Sequence, residues 1–313
     1  MPSGAKIMSL DALFSPQSPQ AQAITSLFTL VLILSAVIFL IVTGLVVYSV
    51  LRYRARGEGE PRQTFGSRRM EVTWTVIPLI VVFILFVLTV RTMAFVDAPQ
   101  DSGQSPDVVI NGRQWWWEAR YPNGAVTANE IHIPASKRLL ARIEATDVIH
   151  DFWAPQLARK MDAVPGRPSY MWLEADTPGT YQGACSEFCG MQHAGMRFLV
   201  IAEQEADFSA WLMHEAATAP EPLEGAAAGG ARLFRANKCS DCHAISGTGA
   251  QSGPSLAHVA ARRFLGGQLA NTPENLARWI TNPQSIKPGN RMPDQQVSAG
   301  DLQALVAYLE TRQ

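Results

Sequence analysis

All four cysteines of the 313-residue chain fall in two short stretches. The first is Cys185-Ser186-Glu187-Phe188-Cys189-Gly190-Met191-Gln192-His193-Ala194-Gly195-Met196, which places two thiols, an imidazole and a thioether within twelve residues. Soft and borderline donors of this kind favour copper over calcium or magnesium. The cysteine pair alone leaves a disulfide or a zinc site open. A disulfide gives no account of His193 and Met196, four and seven residues beyond Cys189. Zinc sites use cysteine, histidine and carboxylate rather than methionine. Histidine, cysteine and a weak methionine on a β scaffold make an electron-transfer copper site. One thiolate suffices for a single copper. Two can bridge a pair of ions, which spreads one electron over both and lowers the reorganisation that transfer demands. A further histidine, His150, stands in Asp147-Val148-Ile149-His150-Asp151.

The second stretch, Cys239-Ser240-Asp241-Cys242-His243, is a C-x-x-C-H signature of c-type haem attachment. The thiols bond the haem vinyl groups and the adjacent histidine becomes the proximal ligand. A zinc half-site would want two more Cys or His ligands, and only His258 follows. A redox dithiol would want a βαβ setting, which the pattern lacks. Met292 is the only methionine after His243 and so the leading sixth ligand. Methionine opposite histidine raises the haem potential, as a high-potential relay requires. The competing assignment makes Met292 core filler. His258 follows too closely and reads as structural.

These groups need elements to hold them. Residues 27–50 and 72–93 are apolar runs long enough to cross a bilayer as helices. Between them, residues 52–71 carry Arg52, Arg54, Arg56, Arg62, Arg68 and Arg69, which places this loop in the cytoplasm and both termini outside. Residues 1–26 are polar and read as an exposed tail. From about Asp107 the pattern turns to short alternating segments, predicting strands around Val108–Ile110, Trp115–Trp117, Ile131–Ile133, Leu139–Ile143, Tyr170–Leu173 and Phe198–Ile201. Such a run over residues 97–215 suggests a small all-β sandwich or barrel, closed by a helix over 203–215. Residues 216–229 read as an Ala/Pro/Gly linker. Residues 230–313 are helical, with helices expected after Thr272-Pro273 and after Ser298.

The net charge of −1 argues against a nucleic-acid binder and hides a division. Residues 97–215 hold nine Lys/Arg against sixteen Asp/Glu, net −7, whereas residues 226–313 hold nine against five, net +4. Opposite signs favour docking of one domain on the other.

Residues 20–215 resemble subunit II of cytochrome c oxidases. The likeness rests on the membrane hairpin, on Asp147-Val148-Ile149-His150 and on the Cys185 to Met196 stretch. Residues 228–313 resemble a small bacterial cytochrome c. The resemblance implies a multi-domain membrane protein: a two-helix transmembrane hairpin, an all-β cupredoxin Greek-key barrel and an all-α cytochrome c domain. It implies a binuclear copper A centre bridged by Cys185 and Cys189, with one copper bound by His150 and the other by His193. Met196 would be a weak ligand and Glu187 would lend its carbonyl. The Glu187 carboxylate would also reach a magnesium ion at the boundary with subunit I. One covalent haem c would be held by Cys239, Cys242, His243 and Met292. Trp115, in Asn111-Gly112-Arg113-Gln114-Trp115-Trp116-Trp117, matches the family's electron-accepting surface tryptophan; the alternative is a packing residue. Glu71 matches a glutamate at a proton-path mouth; the alternative is an interface carboxylate.

The resemblance thus implies a bacterial inner-membrane subunit with its copper and haem domains on the periplasmic side. Electrons from cytochrome c or another periplasmic donor would pass through the haem and copper to subunit I, with subunit III a further partner. No histidine lies in either span, so oxygen reduction belongs to a partner subunit. Rival readings are the electron-accepting subunit of a copper A-containing nitric oxide reductase and a non-catalytic copper-delivery protein. His132 and His214 match no motif, and Met191 reads as packing.

Overall fold

The computed structural model describes residues 14–54, 65–100, 103–246 and 252–313. The chain divides into two units, Gln22–Asp97 on one side and, on the other, the residues up to Ala21 together with Ala98–Gln313.

The first unit is built from helices α1 (Pro19–Arg52) and α2 (Arg68–Val96). Their apolar side chains are exposed all round, as at Phe39, Leu40, Leu79 and Phe83. A helix apolar on every face needs an apolar surrounding, and both helices exceed the ~20 residues that cross a hydrocarbon core. Both also outrun the expected spans, beginning at Pro19 and Arg68. Glu71 lies exposed in the first turn of α2, where a carboxylate complements the helix dipole. Arg52, Arg54, Arg68 and Arg69 flank the loop, while Arg56 and Arg62 lie outside the described residues.

The exposed tail expected over residues 1–26 needs correction. Residues 1–13 lie outside the described part, but residues 15–21 dock on the β domain. Gln17 donates its N–H to the Gln156 carbonyl at 2.7 Å and accepts from Asp176 N–H at 2.8 Å. Ser18 donates to the Leu157 carbonyl, and Gln20 to Glu174. The Gln17 backbone and the Ser18 and Gln20 side chains, whose polarity suggested solvation, serve instead as long-range hydrogen-bond partners.

The all-β domain is a sandwich of two five-stranded sheets. One has the order β3 (Val126–Ala128), β2 (Trp116–Arg120), β1 (Val108–Arg113), β5 (Leu139–Ala145), β8 (Ser169–Leu173). The other runs β4 (Glu130–Pro134), β10 (Arg197–Glu203), β9 (Gly179–Cys185), β6 (His150–Trp153), β7 (Met161–Ala163). The pairs β1–β5 and β4–β10 are parallel. Inward residues of both sheets, among them Ile110, Trp117, Ile143, Phe152 and Phe198, form one core. Helix α3 (Glu205–Ala216) closes the domain.

The C-terminal domain comprises α4 (Gly225–Ala236), a short β11–β12 hairpin (Phe264–Leu265 and Leu269–Ala270), α5 (Pro273–Thr281), α6 (Pro283–Ile286) and α7 (Ala299–Glu310). Thr272 caps α5 and Ser298 caps α7, each through its hydroxyl. The expected linker is corrected at both ends. Helix α4 starts inside it, and residues 217–221 are tied down. Arg312, 1% exposed, donates to the Ala219 and Pro220 carbonyls, and the Tyr308 hydroxyl donates to Glu221. Ala-rich composition suggested flexibility, but tertiary hydrogen bonds decide the conformation.

Candidate functional site

His150 begins β6 and is fully buried. Its Nε2 contacts Asp147 Oδ1 at 2.8 Å, leaving Nδ1 buried with no hydrogen-bond partner. Fixing one ring nitrogen on a carboxylate presents the other to a metal. Burial works against a charged His150 ring, but the Asp147 carboxylate it bonds and the Cys185 sulfur beside it outweigh that and raise the pKa. Burial also opposes ionisation of Asp147, yet bonds from His150 and the Gln114 and Val148 amides leave its carboxyl below the ordinary range. Gly112 on β1 makes room for the ring: a Cβ there would lie 2.8 Å from the imidazole. Glycine inside a strand often marks such an approach.

The loop after β9 supplies the remaining donors. Donor atoms of His150, Cys185 and Cys189 lie within 4.8 Å of one another. Cys185 Sγ and Cys189 Sγ are 3.8 Å apart, too far for a disulfide. His193 Nδ1 and Met196 Sδ each lie 3.8 Å from Cys189 Sγ. Cys185 Sγ donates to the Glu187 carbonyl at 3.2 Å, while the Glu187 side chain is exposed. The neighbouring Cys189 thiol and His150 ring push the Cys185 thiol far down, towards thiolate, while Cys185 and burial push the Cys189 thiol up. A thiolate, a thiol, two imidazoles and a thioether, with one imidazole nitrogen left unpartnered, fit copper.

The second candidate site is a cavity of about 470 Å³ in the C-terminal domain. Cys239, Cys242, His243 and Met292 all line it, with apolar walls that include Phe234, Leu276 and Leu305. His243 Nδ1 donates to the Pro254 carbonyl at 2.8 Å, which frees Nε2 for a metal. Burial depresses the His243 pKa and keeps the ring neutral, as ligation requires. A Cβ on Gly253 would sit 2.6 Å from that ring. The residues fit a c-type haem.

The two sites meet at Gln114 and Trp115. Both side chains donate to the Cys189 carbonyl, Gln114 Nε2 at 2.8 Å and Trp115 Nε1 at 2.9 Å. Both also line the haem-sized cavity. Trp115 is therefore not an open surface residue: the chain's own C-terminal domain covers it. Lys287, 3% exposed, donates to the Trp115 carbonyl at 2.6 Å and to the Gly266 carbonyl at 2.9 Å.

His258 bonds the Gln313 and Ala217 carbonyls and is structural, as expected. His132 lies in strand β4, where it is buried, stacked on Trp211 and paired with Glu203. Met191 is corrected too, being 71% exposed and not packed in a core. Glu71 belongs to the hairpin unit. Sequence reasoning missed Asp147, Gly112, Gln114 and Lys287 as site residues. Gly112 falls between the strands expected around 108–110 and 115–117, so nothing in the sequence marks it as a strand glycine, whereas β1 reaches Arg113.

Three family comparisons agree with this layout. Residues 8–91 match the transmembrane domain of cytochrome c oxidase subunit II, residues 125–203 its periplasmic domain, and residues 227–313 cytochrome c. Cytochrome c oxidase subunit 2 of Alkalihalophilus pseudofirmus is 39% identical over 95% of this chain and 89% of that one. Its counterpart in Bacillus subtilis is 31% identical over 84% of this chain and 81% of that one. Among solved structures, the periplasmic domain of subunit II of the Bradyrhizobium japonicum cytochrome oxidase is 30% identical, covering 36% of this chain and 95% of that one at a TM-score of 0.34.

Proposed function

The chain belongs to the cytochrome c oxidase subunit II family, and we propose that it is the electron-transfer subunit of a respiratory haem-copper oxidase with its donor haem domain built in. A c-type haem and a copper pair, when bound, take up and release single electrons, while reduction of oxygen to water coupled to proton translocation falls to subunit I. Cys239, Cys242, His243 and Met292, which line the cavity, would hold the haem. Cys185, Cys189, His150, His193, Met196 and the Glu187 carbonyl would hold the copper pair.

The observation that carries this reading is the double role of Trp115. Its indole lines the haem-sized cavity and donates to the carbonyl of Cys189. A single side chain thus spans the gap between the two candidate sites. Gln114 adds a second bond to the same carbonyl, and Asp147 fixes His150 while accepting the Gln114 amide at 2.7 Å.

Further assignments extend the reading. The exposed Glu187 carboxylate is available for magnesium at the subunit I boundary. The basic residues flanking the helical hairpin support a cytoplasmic loop and periplasmic copper and haem domains in a bacterial inner membrane. Glu71, at that cytoplasmic end, is then placed for a proton-path mouth. Subunit I and subunit III complete the complex, and cytochrome c or another periplasmic donor reduces the haem.

Metal and haem analysis of the purified oxidase tests the proposal. Two coppers and one covalent haem are expected on this chain. Reducing the haem with a fast donor should be followed by loss of the mixed-valence copper absorption. Unchanged copper content and spectrum in Cys185→Ser would refute the copper assignment. An unchanged haem spectrum and potential in Met292→Ala would refute the sixth ligand.

A further inference from the structure

The segment Lys287-Pro288-Gly289-Asn290-Arg291-Met292 does more than carry Met292 to the haem cavity. At its start, Lys287 is buried with no carboxylate among its hydrogen-bond partners. Its Nζ points at three backbone carbonyls, Trp115 at 2.6 Å, Gly266 at 2.9 Å and Gly195 at 3.5 Å. Trp115 and Gly195 belong to the β domain, the latter directly before Met196, whereas Gly266 belongs to the haem domain. A lysine has three donors, and a buried one needs them all placed. Further along, the Pro288 carbonyl accepts from Gln192 Nε2 at 2.9 Å. A Cβ on Gly289 would lie 3.2 Å from Met191 Sδ and 3.5 Å from the Trp115 ring. Arg291 lies 3.9 Å from Asp147, the residue that holds His150. Four of the six residues therefore touch the copper-ligand loop or the groups that orient its ligands.

We propose that residues 287–292 are the latch that docks the haem domain on the copper loop, with Lys287 as the positioning residue that pins the Trp115 backbone. The latch couples two jobs on one short segment. The residues that present Met292 also hold Trp115 against Cys189. Undocking would then separate the haem cavity from Trp115 and free the copper loop at Gln192 and Gly195. Other contacts, such as the Arg263 and Phe264 amides on Glu130, help the domains associate but touch none of the candidate copper ligands.

The proposal rests on the relay reading above, and its test separates the two. In the full chain within the oxidase, Lys287→Met keeps the length of the side chain and removes its donors. Copper content, haem content and the haem–methionine absorption should stay intact, since Lys287 ligates neither group. Amide hydrogen exchange at residues 114–117, 192–196 and 266–268 should quicken by about ten- to hundredfold, the scale of one lost charge-assisted hydrogen bond to a buried carbonyl. Haem-to-copper transfer should slow alongside it. Unchanged exchange and transfer in that variant would overturn the latch while leaving the relay standing. Absence of copper or haem from the unmodified chain would instead sink the relay reading itself. Should Lys287→Met fail to retain haem, Gln192→Ala carries the test. Faster exchange at 287–292 with both cofactors kept supports the latch, and unchanged exchange there overturns it.

Discussion

The Trp115 indole donates to the carbonyl of Cys189 at 2.9 Å, so a wall of the candidate haem cavity is one hydrogen bond from a candidate copper ligand. Trp115→Phe keeps an aromatic wall and removes the donor. Haem and copper content should be unchanged, because the residue ligates neither. Haem-to-copper transfer should slow by about five- to tenfold, matching the ~1 kcal/mol that such a bond contributes to holding the contact. Flash reduction of the haem, followed optically at both centres, measures this. A rate equal to that of the unmodified chain would remove Trp115 from the path.

Salt should matter little to the same rate. The domains carry net charges of −7 and +4 from the counts above, which would suggest an encounter driven by surface attraction. The contacts found are mostly hydrogen bonds to backbone carbonyls, and Arg291–Asp147 at 3.9 Å is partly open to solvent. Exposed pairs are screened over a few ångströms in strong salt, whereas buried bonds are not. Raising ionic strength from about 0.01 to about 1 M should change intramolecular transfer by less than about twofold. A steep decline would mean that the haem domain is held by its surface charge.

Asp147→Ala should weaken copper binding. It removes the acceptor that fixes His150 Nε2 and the bond to the Gln114 amide. Losing such an outer-shell partner costs about ten- to a hundredfold in metal affinity. Competition with a copper chelator reads the change, and Asp147→Asn should recover part of it because its carbonyl can still accept. Equal affinity in all three proteins would remove Asp147 from the site.

Gly112→Ala offers a sterically defined test. Its Cβ would fall 2.8 Å from the His150 ring within the sandwich core. Overpacking of this sort costs about 1–3 kcal/mol. Because the ring is what must shift, copper affinity should fall along with the urea midpoint of the domain. A variant that binds copper normally would show that His150 tolerates displacement.

The candidate ligands stand out in the sequence because their chemistry is local. Cys185 to Met196 and Cys239 to His243 each pack their donors into a short run, and both fold as compact turns. The two spans were legible by hydropathy and length, though the helices begin earlier than the apolar runs, since polar Pro19–Gln22 and Arg68–Glu71 continue the same backbone. What escaped was long-range. Asp147 meets Gln114, Trp115 meets Cys189 some seventy residues on, and Lys287 meets Trp115 across 172 positions. Strand β6 lacks alternation, with His150, Asp151 and Phe152 all buried, while β9 alternates in burial but turns a glycine and a cysteine inward, which masks the pattern. A docked linker is likewise invisible in composition, since Ala219 and Pro220 are held through their carbonyls by Arg312.

Lys287 gives a pH dependence whose direction can be worked out. Burial pushes its pKa down to about 7, with Cys189 the opposing charge nearby. Released into water, the amine returns to its ordinary value of 10.5. Between those limits the undocked state holds a proton that the docked state has shed, so raising the pH favours docking. The contribution is full above the higher value and falls away as the pH drops through about 7. A neutral amine still has two N–H donors for its two closest carbonyls, so deprotonation does not open the latch. In the copper-free, haem-loaded chain, the docking constant should rise between pH 7 and 9 by at most about tenfold per pH unit, the limit for one proton. The urea midpoint for undocking, read by limited proteolysis at residues 217–224, gives the slope. Lys287→Met should flatten it, and a slope of the opposite sign in the unmodified chain would mean that Lys287 stays charged when docked.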